Sequence, residues 1–516
     1  MIGKDTKSNS DEKEMNTIFP TPYTLIENND YPTDCKIIIR ASDFENVLFQ
    51  DGKITFSFIN CRFRKLEIEN TETIDFKDIS IQFINCYIGE ITVENIVTTN
   101  LSIFFGSSIL QGRLKNSNLL SATVNNCFLR NSLFLLDLKR AVVSFTEENV
   151  YPVRWKKLLK SVKVTLENLL LEKQSFYIYD CKEIVFNFNE NSTDKIGLYK
   201  RPYSNNIENK IGYFLNETEK KNFKVSLNIQ YSADKEHKIT KVINAKLLAL
   251  SMSGYSTGEV LVENCKIDSW YIRNFSAQLG SNFYDIKPFR KETEETKLEI
   301  HKSNLDKVWF DNVSFDEYST ISLYRNKFGQ TTLTACDFPT TYKGFEKIQT
   351  IENIHYPDKK DNNYFKTRYE IFVQLKKQLE VSGNFYEAQK FQAISNEALK
   401  NVENLPYWDR IILKVNSLSN NHGLSIKEPF IATIAISVLF YILYLWSLGR
   451  IFNCNDVDWN LIGYYFSFLD ITHRSDFLVS KTELNGFSLI IDYFNKILVG
   501  FLIYQFIAAF RKYGKK

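Results

Sequence analysis

The chain has 516 residues, room for two or three domains. A formal net charge of +3 is close to balance, so bulk electrostatics point to no nucleic-acid partner. Eight cysteines stand without a CxxC pair, which gives zinc and dithiol readings little support, and 41 Phe with 28 Tyr favour strands joined by Asn-rich turns.

The opening "MIGKDTKSNSDEKEMN" is charged and lacks an apolar h-region, so residues 1–16 read as a disordered tail with no cleaved secretory signal. Scattered cysteines then fit a reducing cytoplasm, where they stay as thiols.

From residue 17 to 347 short alternating runs are punctuated by Asn, Asp, Gly and Ser. One phrase recurs: "FSFINCRFRKLEIEN" (Phe56 to Asn70), "IQFINCYIGEITVEN" (Ile81 to Asn95), "ATVNNCFLRNSLFL" (Ala122 to Leu135), "FYIYDCKEIVFNF" (Phe176 to Phe188) and "VLVENCKIDSWYI" (Val260 to Ile272). In each, a strand ends at Asn or Asp, Cys follows, and a second alternating strand begins. The first two copies lie 25 residues apart, a suitable length for one coil of a right-handed β-helix-like solenoid. Asn tolerates a left-handed corner, and Cys is small and apolar enough to sit just inside it. A β-sandwich in which Asn-Cys recurs by chance is the alternative. Val153 to Lys173 reads as an amphipathic helix or as two strands, and periodicity does not separate these.

Catalytic signals are sparse. Gly254-Tyr255-Ser256-Thr257-Gly258 matches G-x-S-x-G, which needs a following helix, yet "EVLVENCKI" reads as a strand. His237, His301, His355, His422 and His473 lack metal-ligand spacing, and no phosphate loop or dinucleotide fingerprint occurs. The expectation is a non-enzyme without metal or cofactor.

After Tyr356 to Asn363 the pattern changes to helical. Residues 361–425 form a connector with two helices joined at Ser382-Gly383-Asn384, one striped by Tyr369, Phe372, Val373, Leu375 and Leu379, the other by Tyr386, Ala388, Phe391, Ile394 and Leu399. Two apolar segments follow, Pro429 to Leu448 and Phe487 to Phe510, each long enough to cross a bilayer. Asp492 and Lys496, four apart in the second, can pair on one face. Arg410, Lys414 and Lys427 precede the first segment, and Arg511, Lys512, Lys515 and Lys516 (in the tail 511–516) follow the second. Both termini are therefore expected in the cytoplasm, with Gly449 to Gly486 outside.

The segments Arg368 to Leu399 and Tyr407 to Ser425, "YYFSFLDIT" (Tyr464 to Thr472) and the second apolar run with its basic end resemble bacterial membrane proteins with a pentapeptide-repeat-like β-solenoid and a two-helix, ion-channel-like C-terminus. The resemblance covers about the last 150 residues well and the solenoid in style only. It implies an inner-membrane homotetramer over residues 429–510, with a pore organised by a cytoplasmic β-structure that binds a protein or ligand. That family's filter resembles T-x-G-Y-G-D, whereas this chain reads Leu469-Asp470-Ile471-Thr472-His473-Arg474-Ser475-Asp476 without glycine, which argues against potassium selectivity. Asp470, Thr472, His473 and Asp476 become the expected pore mouth. Two further readings stand: a membrane-anchored, non-enzymatic recognition scaffold, and a defence effector that senses a signal and permeabilises the membrane.

Overall fold

The computed structural model describes residues 16–18, 25–41, 53–70, 72–74, 78–106, 108–116, 118–125, 127–146, 150–152, 174–189, 212–214, 225–289, 295–340, 343–352, 362–450 and 460–510. Val153 to Lys173 and Cys454 lie outside them. The chain divides into two compact units, Met1–Phe338 and Pro339–Lys516.

The first unit is mostly β, built on a large parallel sheet. Most strands pair not with their neighbours in sequence but with a strand two or three places on, and the 19-residue strand Glu259–Ala277 also pairs with the strands before and after it, so the ladder runs in two tracks. In one track Ile37, Ile68, Val93, Leu114, Leu135, Ile178, Ile229, Met252, Ile272, Ile300 and Leu323 are successive Cα partners. In the other the series is Phe58, Phe83, Phe105, Val124, Val143, Phe186, Val242, Val262, Phe283, Phe310 and Leu333. All these side chains are buried. Because the side-chain period in a strand is two, a slip of one residue would turn a whole row outward, and the unbroken apolar rows fix the register. Rings in the second row stack face to face: Phe58 on Phe83 at 5.1 Å and Phe83 on Phe105 at 5.4 Å between centroids.

The step between partners varies. Ile54 pairs with Ile79, 25 positions on, and Ala122 with Ala141, only 19 positions on. Ala141 pairs with Ile184 after 43 positions and Ile184 with Thr240 after 56. One described pair departs from the parallel rule: Val150–Pro152 runs antiparallel to Gly212–Phe214.

The recurrent Asn-Cys phrase has a definite structural meaning. Asn60, Asn85, Asp180, Asn264 and Ala335 have φ between 48° and 56°, the left-handed conformation. The residue after each is a cysteine whose thiol donates both to the carbonyl two residues back and to one in the strand before. Cys86 Sγ reaches Ile84 O at 3.4 Å and Phe58 O at 3.2 Å, and Cys265 Sγ reaches Glu263 O at 3.2 Å and Val242 O at 3.5 Å. Elsewhere serine does the same: after left-handed Lys302, Ser303 Oγ donates to His301 O at 2.8 Å and Ile272 O at 3.3 Å. The left-handed residue's own N–H is not lost, since Asn60 N donates to Ile84 O and Asn85 N to Gly106 O, both at 2.9 Å. The described cysteines are thiols, all but Cys336 buried, and burial pushes Cys127, Cys181 and Cys265 up to about 12, which makes them inert.

The G-x-S-x-G motif resolves as a bend between strands. Ser256 ends the strand Lys246–Ser256, is buried, and donates to Gly258 O at 3.2 Å; Glu259–Ala277 follows as a strand. Gly254 has φ +92°, and a Cβ there would lie 1.8 Å from Tyr231 O, so the neighbouring backbone dictates glycine. No elbow and no accessible nucleophile result.

The second unit is helical. Helix α1 (Asn362–Val381) and helix α2 (Phe385–Lys400) are joined through Gly383 at φ +79°, and Asn384 caps α2 by accepting from Glu387 N at 3.1 Å. Ile371, Phe372, Leu375 and Leu379 of α1 and Ala388, Phe391, Ile394 and Ala398 of α2 are buried, and the Phe372 and Phe391 rings meet at 5.7 Å between centroids. The expected stripes are therefore rotated slightly: Tyr369, Val373 and Leu399 are only partly buried, and Tyr386 lies outside beneath the Lys390 ammonium at 4.5 Å. Helix α3 (Tyr407–Asn420) precedes α4 (Lys427–Ser447), the short α5 (Asn460–Leu469) and α6 (Gly486–Phe510). By length and composition α4 and α6 are apolar enough to cross a membrane, their most apolar 18-residue stretches having mean hydropathy of 2.1 and 1.6.

Two substitutions separate packing from backbone constraint in the first unit. Phe83→Ala removes the middle ring of a stack and should cost about 4 kcal/mol. Gly254→Ala removes no contact but should cost about 3 kcal/mol through steric conflict. Guanidinium titration followed by far-ultraviolet circular dichroism measures both; a loss below about 1 kcal/mol for either contradicts the described core.

Candidate functional site: a buried carboxylate beneath the return limb

The described part of the segment between α4 and α6, residues 460–485, does not hang free. Helix α5 lays Phe468 into a cluster with Tyr441, Tyr444, Leu445 and Ile491. Polar tips in this cluster find partners, as buried hydroxyls must: Ser437 Oγ meets Tyr465 Oη at 2.7 Å, and Tyr441 Oη donates to Leu461 O at 2.7 Å. After Leu469 the chain turns back. The Asp470 carboxylate accepts from Thr472 N at 2.9 Å and Thr472 Oγ1 at 2.7 Å, a local turn that holds its pKa below the usual carboxylate range. His473 Nδ1 closes on Asp470 O.

The return limb is pinned to α6 at one residue. Asp492 Oδ2 accepts from Ser475 Oγ at 2.9 Å and from Lys496 Nζ at 3.0 Å, and His473 Nε2 lies 2.8 Å from Oδ1. Lys496 Nζ also donates to His473 O at 2.9 Å, so lysine bridges the carboxylate and the limb's backbone. The His473 and Asp492 side chains are only 4% and 3% exposed, whereas Lys496 keeps 23%. A carboxylate so deeply placed in an apolar helix persists because cation, hydroxyl and imidazole surround it. Beside it is an open cavity of about 390 Å³, lined by Ser475, Leu489, Ile490, Asp492, Tyr493, Phe494 and Lys496.

The four residues expected at a pore mouth separate. Asp470 and Thr472 are exposed and bonded to each other. Asp476 is clamped by Arg474, with Nε to Oδ1 and Nη2 to Oδ2 both at 3.2 Å. His473 turns inward and joins Asp492 and Lys496, which come from a different element. Ser475, Tyr444 and Asn495 belong to the same constellation, and no pattern in the sequence marks them. Tyr444 Oη donates to Ser475 O at 3.2 Å and Asn495 Nδ2 to Phe468 O at 3.2 Å. The carbonyls of Ser467, Phe468, Asp470, His473, Arg474 and Ser475 thus all accept bonds inside this chain. Carbonyls held in this way are not available to strip water from K⁺.

Among the described residues no cluster of three or more His, Cys, Asp or Glu could hold a metal ion. Comparison with family models, with curated proteins and with solved structures gives no significant match.

Asp492→Ala leaves Lys496 and His473 around an absent partner and should destabilise the helical unit by about 3 kcal/mol or more. Pairing it as Asp492→Asn with Lys496→Met should recover part of that loss. Thermal unfolding of the protein in detergent gives the comparison, and strict additivity of Asp492→Asn and Lys496→Met would show that the pair is uncoupled.

Proposed function

We propose that the chain is an integral membrane, ion-channel-like protein, in which α4 and α6 span the bilayer and a large cytoplasmic β domain senses or binds a partner. In this reading the two parallel tracks are the faces of a stacked β-solenoid, and α1 with α2 forms a helical hairpin that connects it to the spans. The resemblance in the last third of the chain implies a homotetramer in a bacterial inner membrane. The observation that supports the reading best is the return limb. A helix of ten residues enters between the spans, and the chain beyond it is bolted to a buried aspartate instead of forming a loose outer loop. A mere connection between two anchors has no need of that arrangement.

The pore so formed is a poorly selective one. Its mouth carries exposed carboxylates from Asp470 and, offset by Arg474, Asp476, which attract cations without a carbonyl filter to discriminate among them. The alternative, a membrane-anchored recognition scaffold, is favoured by the carbonyls of Asp470, His473, Arg474 and Ser475, which already have partners within one chain. Permeabilisation in a defence response is a biological role consistent with the channel reading.

Two measurements decide between these. Purified protein in planar bilayers should pass cations with little K⁺ over Na⁺ preference, and Asp470→Asn with Asp476→Asn should lower cation preference; no conductance under any trigger leaves the scaffold. A cysteine placed at Ser480 should react with an impermeant maleimide on intact cells, with both termini shielded. Reaction only after lysis would reverse the topology.

A further inference from the structure

Helix α3 carries the most lopsided distribution of side chains in the helical unit. Tyr407, Trp408, Ile411, Ile412, Val415 and Leu418 recur at helical spacing on one face. That face is not packed: Tyr407 is 72%, Trp408 70%, Ile412 55% and Leu418 74% exposed. The opposite face is the one that docks. Asn420 Nδ2 donates to Gln505 Oε1 at 2.5 Å, and Gln505 Nε2 donates to Asn416 Oδ1 at 3.1 Å. Asn420 and Gln505 are both buried, so the polar side of α3 is fixed against the last turns of α6 and the apolar side is held outward.

Three observations say what covers it. The helix ends at Asn420 and the first span begins at Lys427, so α3 lies at the level where the chain enters the bilayer, which Gln505, one and a half turns from the end of α6, marks independently. Phe430, Ile431 and Ile434, in the first turns of α4, are exposed apolar side chains as well. Arg410 and Lys414, one turn apart, border the stripe on one side, and Trp408 and Tyr407 have the amphipathic rings that favour a membrane–water boundary.

We propose that α3 is an interfacial helix that lies in the cytoplasmic headgroup layer, its apolar stripe in the acyl boundary and Arg410 and Lys414 against anionic lipid headgroups. The inference rests on the membrane reading above. The connector then couples the two ends of the chain in a definite way. The β domain is joined to the pore through an element held in the plane of the membrane, and lipid charge sets how firmly it is held.

Tryptophan emission tests it on the full chain reconstituted in vesicles of phosphatidylcholine and phosphatidylglycerol with brominated acyl chains. The difference between wild type and Trp408→Phe isolates Trp408, and that between wild type and Trp446→Phe isolates a residue of α4. Trp446 should be quenched, which reports the span. Trp408 should lose about half its emission, and Arg410→Gln with Lys414→Gln, or omission of phosphatidylglycerol, should reduce that quenching about two-fold. Quenched Trp446 with unquenched Trp408 overturns the interfacial helix and leaves the spans intact, including when Trp408 is shielded by a second copy or another protein. Quenching of neither overturns both readings. Equal quenching of Trp408 with and without the two cations and phosphatidylglycerol overturns the headgroup contact.

Discussion

A polar group in apolar surroundings must find a partner, and both units of this protein are organised by that requirement. A parallel ladder that bends leaves a carbonyl behind at each bend. Here the residue entering the left-handed region keeps its N–H in the ladder, and the next side chain turns inward to take the stranded carbonyl. Cys86 and Ser303 do this with different atoms and the same geometry. Asn70 does it with an amide, donating to Ile39 O at 2.9 Å while accepting from Thr98 N at 2.9 Å. In the helical unit the group in question is the Asp492 carboxylate, and the path of the return limb follows from the partners it needs.

This explains what could be read from the sequence. Asn-Cys announced the bends because left-handed backbone and a small inward donor are both visible in residue type. The repeat became irregular where other residues meet the same need: Ser108 and Ser303 replace the thiol, and Ala245 and Leu138 follow left-handed Asn244 and Asp137 without any donor. Lys302 and Arg325 take the left-handed position with no compositional sign at all. The alternation of apolar residues was legible throughout; the pairing of strands that are not sequence neighbours was not, since nothing local encodes which edge a strand meets.

The candidate site was legible by half. Asp492 and Lys496 declare themselves as charges one helical turn apart in an apolar run. His473 and Ser475 do not, because they reach Asp492 only after α5 and its turn have reversed the chain. Their polar setting suggested an aqueous edge, whereas the Asx turn at Asp470 rotates the imidazole inward. The connector stripes were placed to within a fraction of a turn, and Lys390 over Tyr386 shows one reason: an aromatic ring that looks like core serves here as a seat for a cation.

The variable step of the β ladder carries one more implication. Ala141 and Ile184 lie 43 positions apart and Ile184 and Thr240 lie 56, yet both pairs keep the apolar rows in register. Each rung is therefore specified by its own inward residues and its neighbours, not by chain length between rungs. The number of residues between two paired strands and the packing of the apolar rows are thus separate constraints on this sequence: a change in the first leaves the second in register.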